Sequence, residues 1–143
     1  LLGLISCSVN WKTPSGYAEV SRTSNELSIF NAEGLMIRAH LKDNEVPGGE
    51  RSDLDFWSGN MLRSLQSRGY YQVETKLEKA SESSSALWWS SWILQDNGKS
   101  KRYIVGLKTE GDVLLVLEAS AIDTVLMKHH VDVMKFFNET QIK

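Results

Sequence analysis

The chain has 143 residues, 41% of them hydrophobic and 24% charged, which suits one globular domain with a sizeable core. The net charge is −2 and the sixteen Lys and Arg residues are dispersed, which argues against a nucleic-acid-binding surface. A single cysteine, Cys7, excludes an intrachain disulfide, and no apolar run is long enough to span a bilayer.

The first residues read Leu1-Leu2-Gly3-Leu4-Ile5-Ser6-Cys7. Leu4-Ile5-Ser6-Cys7 resembles the lipobox of bacterial lipoproteins: Leu, a small or aliphatic residue, Gly, Ala or Ser, then Cys. The apolar residues before it suit the tail of a signal peptide. The resemblance implies that residues 1–6 are a signal remnant and that Cys7 is lipidated. It also implies the membrane as a partner, through a lipid anchor at Cys7, since such a cysteine carries at least two acyl chains and two give stable attachment. Ser8 follows, not the Asp that retains such proteins at the inner membrane. The implied address is the bacterial envelope, on the periplasmic side of the outer membrane. The alternative use of Cys7 is that of an ordinary buried thiol.

Residues 7–25 read as the lipidated cysteine and a polar tether, with Pro14, Gly16 and several Ser and Thr. Trp11 and Tyr17 interrupt it and suit gap-filling beside a sheet. Residues 26–143 then read as a single α+β domain.

Two strands, 26–31 and 35–42, form an expected hairpin turned by Ala32-Glu33-Gly34. In the second, Leu35, Ile37, Ala39 and Leu41 face one way; Met36, Arg38, His40 and Lys42 face the other, wetter way. Residues 43–51, with Pro47-Gly48-Gly49, predict a mobile loop. A helix is expected over 52–68. Ser52 is its expected cap, Asp53 and Asp55 complement its dipole, and Leu54, Trp57, Met61, Leu62 and Leu65 make its apolar face. Gly69 ends it. Residues 70–79 predict a strand with Tyr71, Val73, Thr75 and Leu77 on one side.

Three strands follow between residues 86 and 119. Asp96-Asn97-Gly98-Lys99 joins the first two, and Asn-Gly is a strong hairpin signal. Glu110-Gly111-Asp112 joins the next two. In the first strand Trp88, Trp92 and Leu94 point one way, and Leu87, Trp89 and Ile93 the other. Both sides are apolar, so the strand requires cover on both faces. A last helix is expected over 121–137, with Ser120 and Asp123 at its start and a stripe of Ile122, Val125, Leu126, Val133, Phe136 and Phe137.

The expected order is β-β-α-β-β-β-β-α, an antiparallel meander with two helices packed on it. In element order, from about residue 17 to 138, it resembles the PsbP-like fold, an α/β/α sandwich found in an extrinsic photosystem II protein and in bacterial lipoproteins. The resemblance implies non-enzymatic work as a binding or assembly module, with an envelope protein as partner.

No motif specifies a reaction, a cofactor or a metal. There is no Gly-x-Ser-x-Gly elbow, no phosphate-binding Gly loop and no His-Glu-x-x-His pattern. His129, His130 and Asp132 supply at most two ligands on one helix face, and suit surface or boundary positions. His40 has no evident partner. The run Trp88-Trp89-Ser90-Ser91-Trp92 fits two uses. Its rings are core residues beneath two helical layers, or they contact a partner or line the pocket of a small-molecule carrier. The helical cover available in the chain favours the core.

Overall fold

The computed structural model describes residues 9–46, 48, 49, 51–78 and 85–142. Seven strands form one antiparallel sheet: β1 (Tyr17–Arg22), β2 (Glu26–Asn31), β3 (Met36–Asp43), β4 (Tyr71–Glu78), β5 (Leu87–Asp96), β6 (Lys99–Glu110) and β7 (Val113–Ile122). Their spatial order is β1-β2-β3-β7-β6-β5-β4. Helix α1 (Leu54–Ser67) connects β3 to β4, while α2 (Asp123–Lys128) and α3 (His130–Glu139) follow β7. Two meanders, β1–β3 and β4–β7, thus meet where β3 pairs β7. Among the described residues no helix is long and apolar enough to cross a membrane.

Local chemistry explains most of these elements. Asn97 and Gly98 both have positive φ, 51° and 79°, as the two-residue turn between Asp96 and Lys99 demands. The Asn31 side chain closes the β2–β3 turn by accepting from the amides of Glu33 and Leu35, at 3.0 and 2.9 Å. Helix α1 ends at Gly69, whose φ is +86°. There the amides of Gly69 and Tyr70 reach back to the carbonyls of Gln66 and Leu65.

The sheet carries a core on each face, as the doubly apolar Trp strand requires. One core joins Leu27, Ile29, Ile37, Leu41, Leu87, Trp89, Ile104, Leu115 and Leu117 to Leu126 of α2 and to Val133, Phe136 and Phe137 of α3. The other joins Trp88, Trp92, Val105, Leu107, Leu114 and Val116 to Leu65 of α1, flanked by Trp57, Met61 and Leu62. The second core is smaller because one helix alone supplies it.

Several expectations are corrected. Residues 9–22 are not a free tether. Val9 bridges Ile142, Val9 and Trp11 are buried, and residues 17–22 form β1 along β2. Trp11 is held by its indole N–H, which donates to the Thr23 carbonyl at 2.9 Å. Asp53 rather than Ser52 caps α1, accepting from the Phe56 amide at 3.1 Å. The last helix is two helices. β7 runs on to Ile122, Ser120 stays in the strand, and no side chain caps α2. The break falls at His129, whose ring Nε2 lies 2.8 Å from Glu33 in the β2–β3 turn. That anchor lets α2 and α3 each turn an apolar face to the sheet.

The loop after β3 is pinned at its start. Asn44 is buried, and its side chain donates to the Gly111 carbonyl and accepts from the Trp57 indole at 2.6 Å and the Ser52 amide at 3.2 Å. One amide side chain therefore ties this loop, the β6–β7 turn and α1 together.

Candidate ligand groove

A lone helix cannot cover the whole of its face of the sheet. α1 lies over the β4–β6 side, and the strip formed by β3 and β7 is left open beside it. Register places the wet side of β3 along this strip: Arg38 faces Glu118, His40 faces Val116 and Lys42 faces Leu114. Tyr103 and Leu107 of β6 continue the floor, and Trp57, Asn60, Met61, Ser64 and Arg68 of α1 make the opposite wall. The groove's volume is about 410 Å³, within the usual range for small-molecule sites.

The polar groups converge on one carboxylate. Glu118 accepts from the Tyr103 hydroxyl at 2.6 Å, and its other oxygen lies 3.8 Å from Arg38 and 3.9 Å from His40 Nδ1. Arg38 also pairs with Glu26 at 2.9 Å. Burial, then the Glu118 charge and hydrogen bond, push the Tyr103 hydroxyl up, so it stays protonated and donates. Burial lowers His40, and the opposing pull of Glu118 does not reverse it. The imidazole is therefore neutral at pH 7, and its buried Nδ1 has no hydrogen-bond partner. Three cationic side chains, Arg38, Lys42 and Arg68, ring an apolar floor of Leu107, Leu114 and Val116. The set suits holding a molecule with one apolar and one polar end.

A second concavity, about 440 Å³, lies between residues 10–17 and α3. Its charged residues, Lys12, Asp132, Lys135 and Glu139, balance. The groove over β3 and β7 is the better candidate because its polar atoms meet.

The three Trp residues are elsewhere. Trp88, Trp89 and Trp92 are 8%, 4% and 0% exposed and line neither concavity. The Trp92 indole donates to Ser90 Oγ at 2.6 Å, and the Trp89 ring packs edge-on to His130 at 5.9 Å. Both faces of β5 take bulky rings under helical cover, and the three rings are packed into the two cores. His129 and Asp132 are 3.9 Å apart, and among the described residues no group of three His, Cys, Asp or Glu side chains is placed to hold a metal ion. Cys7 and the Leu4-Ile5-Ser6 run before it lie outside the described residues.

Sequence reasoning placed Arg38, His40 and Lys42 on a wet face and missed Tyr103, Glu118 and Asn44. Glu118 ends an otherwise aliphatic run, Val113 to Leu117. A carboxylate at that position is the signal that was there to read.

No family model matches the chain, and no curated protein is a significant match. Solved structures do resemble it. LpqN of Mycobacterium tuberculosis, described as involved in cell envelope biogenesis, is 17% identical with a TM-score of 0.68, over 96% of this chain and 84% of that one. The cyanobacterial PsbP of Synechocystis is 8% identical with a TM-score of 0.62, over 92% of this chain and 84% of that one. A protein from Bacteroides thetaiotaomicron is 11% identical with a TM-score of 0.50, over 96% of this chain but 44% of that one. At these identities the likeness is one of fold. The chain has the PsbP-like α+β sandwich.

Proposed function

We propose that the protein is a non-enzymatic binding module of a bacterial cell envelope, anchored by lipid at Cys7 on the periplasmic side of the outer membrane. The observation that carries the binding role is the half-covered sheet face. Core strands floor an open groove there, and Arg38, His40, Tyr103 and Glu118 converge at its rim. The address rests on Leu4-Ile5-Ser6-Cys7. It is supported by the fold shared with a protein described as involved in envelope biogenesis.

The partner is an envelope protein that seats a side chain or terminus in the groove. A small-molecule carrier is the second reading, favoured by the apolar floor of Leu107, Leu114 and Val116 rather than by the Trp strand. Asn60 lines the α1 wall, so Asn60→Trp fills the groove from a half-exposed position. Immobilised wild type and Lys99→Ala, at the distant β5–β6 turn, should capture the same protein from envelope extracts, and Asn60→Trp should not. Equal capture by all three, or by none, would overturn the groove as the binding surface. A small molecule released from wild type but not from Asn60→Trp on denaturation would favour the carrier.

A further inference from the structure

The two edges of the sheet are unequal. β1 is flanked by the N-terminal segment: Arg22 donates to the Trp11 carbonyl at 3.0 Å and Trp11 donates to Thr23. β4, at the opposite edge, pairs only with β5 among the described residues. Seven of its eight residues are exposed, including Tyr71 at 67%, Val73 at 52% and Leu77 at 55%. An edge of this kind offers unpaired backbone donors and acceptors to another strand.

The sequence of β4 says which strand. It reads Tyr71-Gln72-Val73-Glu74-Thr75-Lys76-Leu77-Glu78, and its middle is complementary to itself in reverse. Two copies of one strand related by a two-fold axis pair antiparallel about a single residue, because both members of an antiparallel pair present their backbone groups alike. With the axis at Thr75, Glu74 faces Lys76 of the second copy and Thr75 faces itself. Register within the sheet puts Thr75 and Leu77 on the α1 side, opposite Ser90 and Trp88, and Glu74 and Lys76 on the other, opposite Ser91 and Trp89. The facing pairs beyond the β4 bulge are thus matched, opposite charges on one face and the two Thr75 hydroxyls on the other.

Neighbouring registers fail. Centred on residue 74, Glu74 opposes Glu74. Centred on residue 76, Lys76 opposes Lys76 and Glu74 opposes Glu78. Centring on Leu77 sets Lys76 against Glu78 and also gives three facing pairs inside the strand, but it leaves Glu74 outside the paired span, so a substitution at Glu74 separates it from the Thr75 register. The bulge between Gln72 and Glu74 breaks the ladder to β5 at Val73, and the three central pairs of the Thr75 register lie beyond it.

We propose that β4 is a self-association edge: two copies of this chain pair β4 to β4 about Thr75 and join their sheets, with Glu74 and Lys76 of opposite copies as the specificity pairs. This goes beyond the groove reading and stands apart from it, since β4 contributes nothing to the groove lining.

The test is sedimentation equilibrium of the chain carrying Cys7→Ser in every arm, so that no disulfide links copies. A contact of this size is weak, so concentrations of about 10 to 500 μM are needed. Wild type should dimerise. Glu74→Lys alone and Lys76→Glu alone should each weaken the dimer by about tenfold or more, because each sets two like-charged pairs face to face. An equimolar mixture of these two single variants should dimerise again, since one copy then brings two lysines against two glutamates. The double variant Glu74→Lys/Lys76→Glu should also dimerise. Recovery in the mixture shows that both variants are folded. A wild type that stays monomeric throughout, or a dimer indifferent to Glu74→Lys, would overturn the proposal. Groove binding would survive either result.

Discussion

The Lys108 ammonium donates to the Thr140 carbonyl at 2.7 Å and to the Asn138 carbonyl at 3.2 Å, at the C-cap and in the last turn of α3. Lys108 lies on β6 and is 1% exposed. A helix C-terminus leaves carbonyl groups without partners and carries negative partial charge. A buried cation from the sheet satisfies both needs and fixes where α3 ends on the core.

This placement predicts a pH dependence of stability. Burial lowers the Lys108 pKa to about 8, against 10.5 unperturbed. Below pH 8 the lysine is charged in both folded and unfolded states, and the burial cost is fully present. Between the two values the unfolded chain binds more protons, so stability rises with pH. The rise integrates to about 3 kcal/mol at most, and its cleanest window is about pH 8 to 10, below the range where tyrosines ionise. Urea denaturation across that window should show the slope in wild type and lose it in Lys108→Met. An unchanged slope in the variant would assign the dependence to another group.

Gly106 is required by a neighbouring ring rather than by its backbone. A Cβ there would stand 2.8 Å from Phe137 Cδ2 and 3.1 Å from Leu87 Cδ1. Gly106→Ala should cost about 1–3 kcal/mol through overpacking. Adding Phe137→Leu should lower the penalty of the alanine, measured as a double-mutant cycle. Additive losses would mean that the ring does not set the constraint.

Trp89→Ala should destabilise by about 3–5 kcal/mol, because the ring is buried between β5 and the α2–α3 layer. A loss below about 1 kcal/mol in denaturant melts would place the ring outside the core.

The proposed lipid anchor at Cys7 is tested in the cell. A precursor with a complete signal peptide, expressed as wild type and as Cys7→Ser, should incorporate labelled palmitate and sediment with membranes only as wild type. Equal sedimentation of the two would return Cys7 to an unmodified thiol.

Much of the fold was legible because it is written in local chemistry. Asn97-Gly98 announces its turn by a conformation few other pairs adopt. The alternating rings of β5 require two covering layers wherever the strand lies. The sandwich class follows from that requirement and from the number of apolar helix faces available. The break at His129 was not legible, since residues 121–137 hold neither Gly nor Pro. At the break His129 meets Glu33, nearly a hundred residues away in sequence and 2.8 Å away in space. Strand β1 was hidden for a similar reason. Its polar residues give no period, and it is a strand only because β2 offers it an edge.

The same division runs through the candidate site. Alternation alone put Arg38, His40 and Lys42 on one wet face of a strand. That the face is a groove wall depends on β3 pairing β7, and on α1 being too narrow to reach it. Tyr103 meets Glu118 across the β6–β7 hairpin, but Arg38 and His40 join them only through the β3–β7 pairing, which brings together strands far apart in the chain. Sequence by itself determined which residues seek water and which seek a core. Tertiary structure decided which polar residues became neighbours, since side-chain period carries no information about which strand will lie alongside.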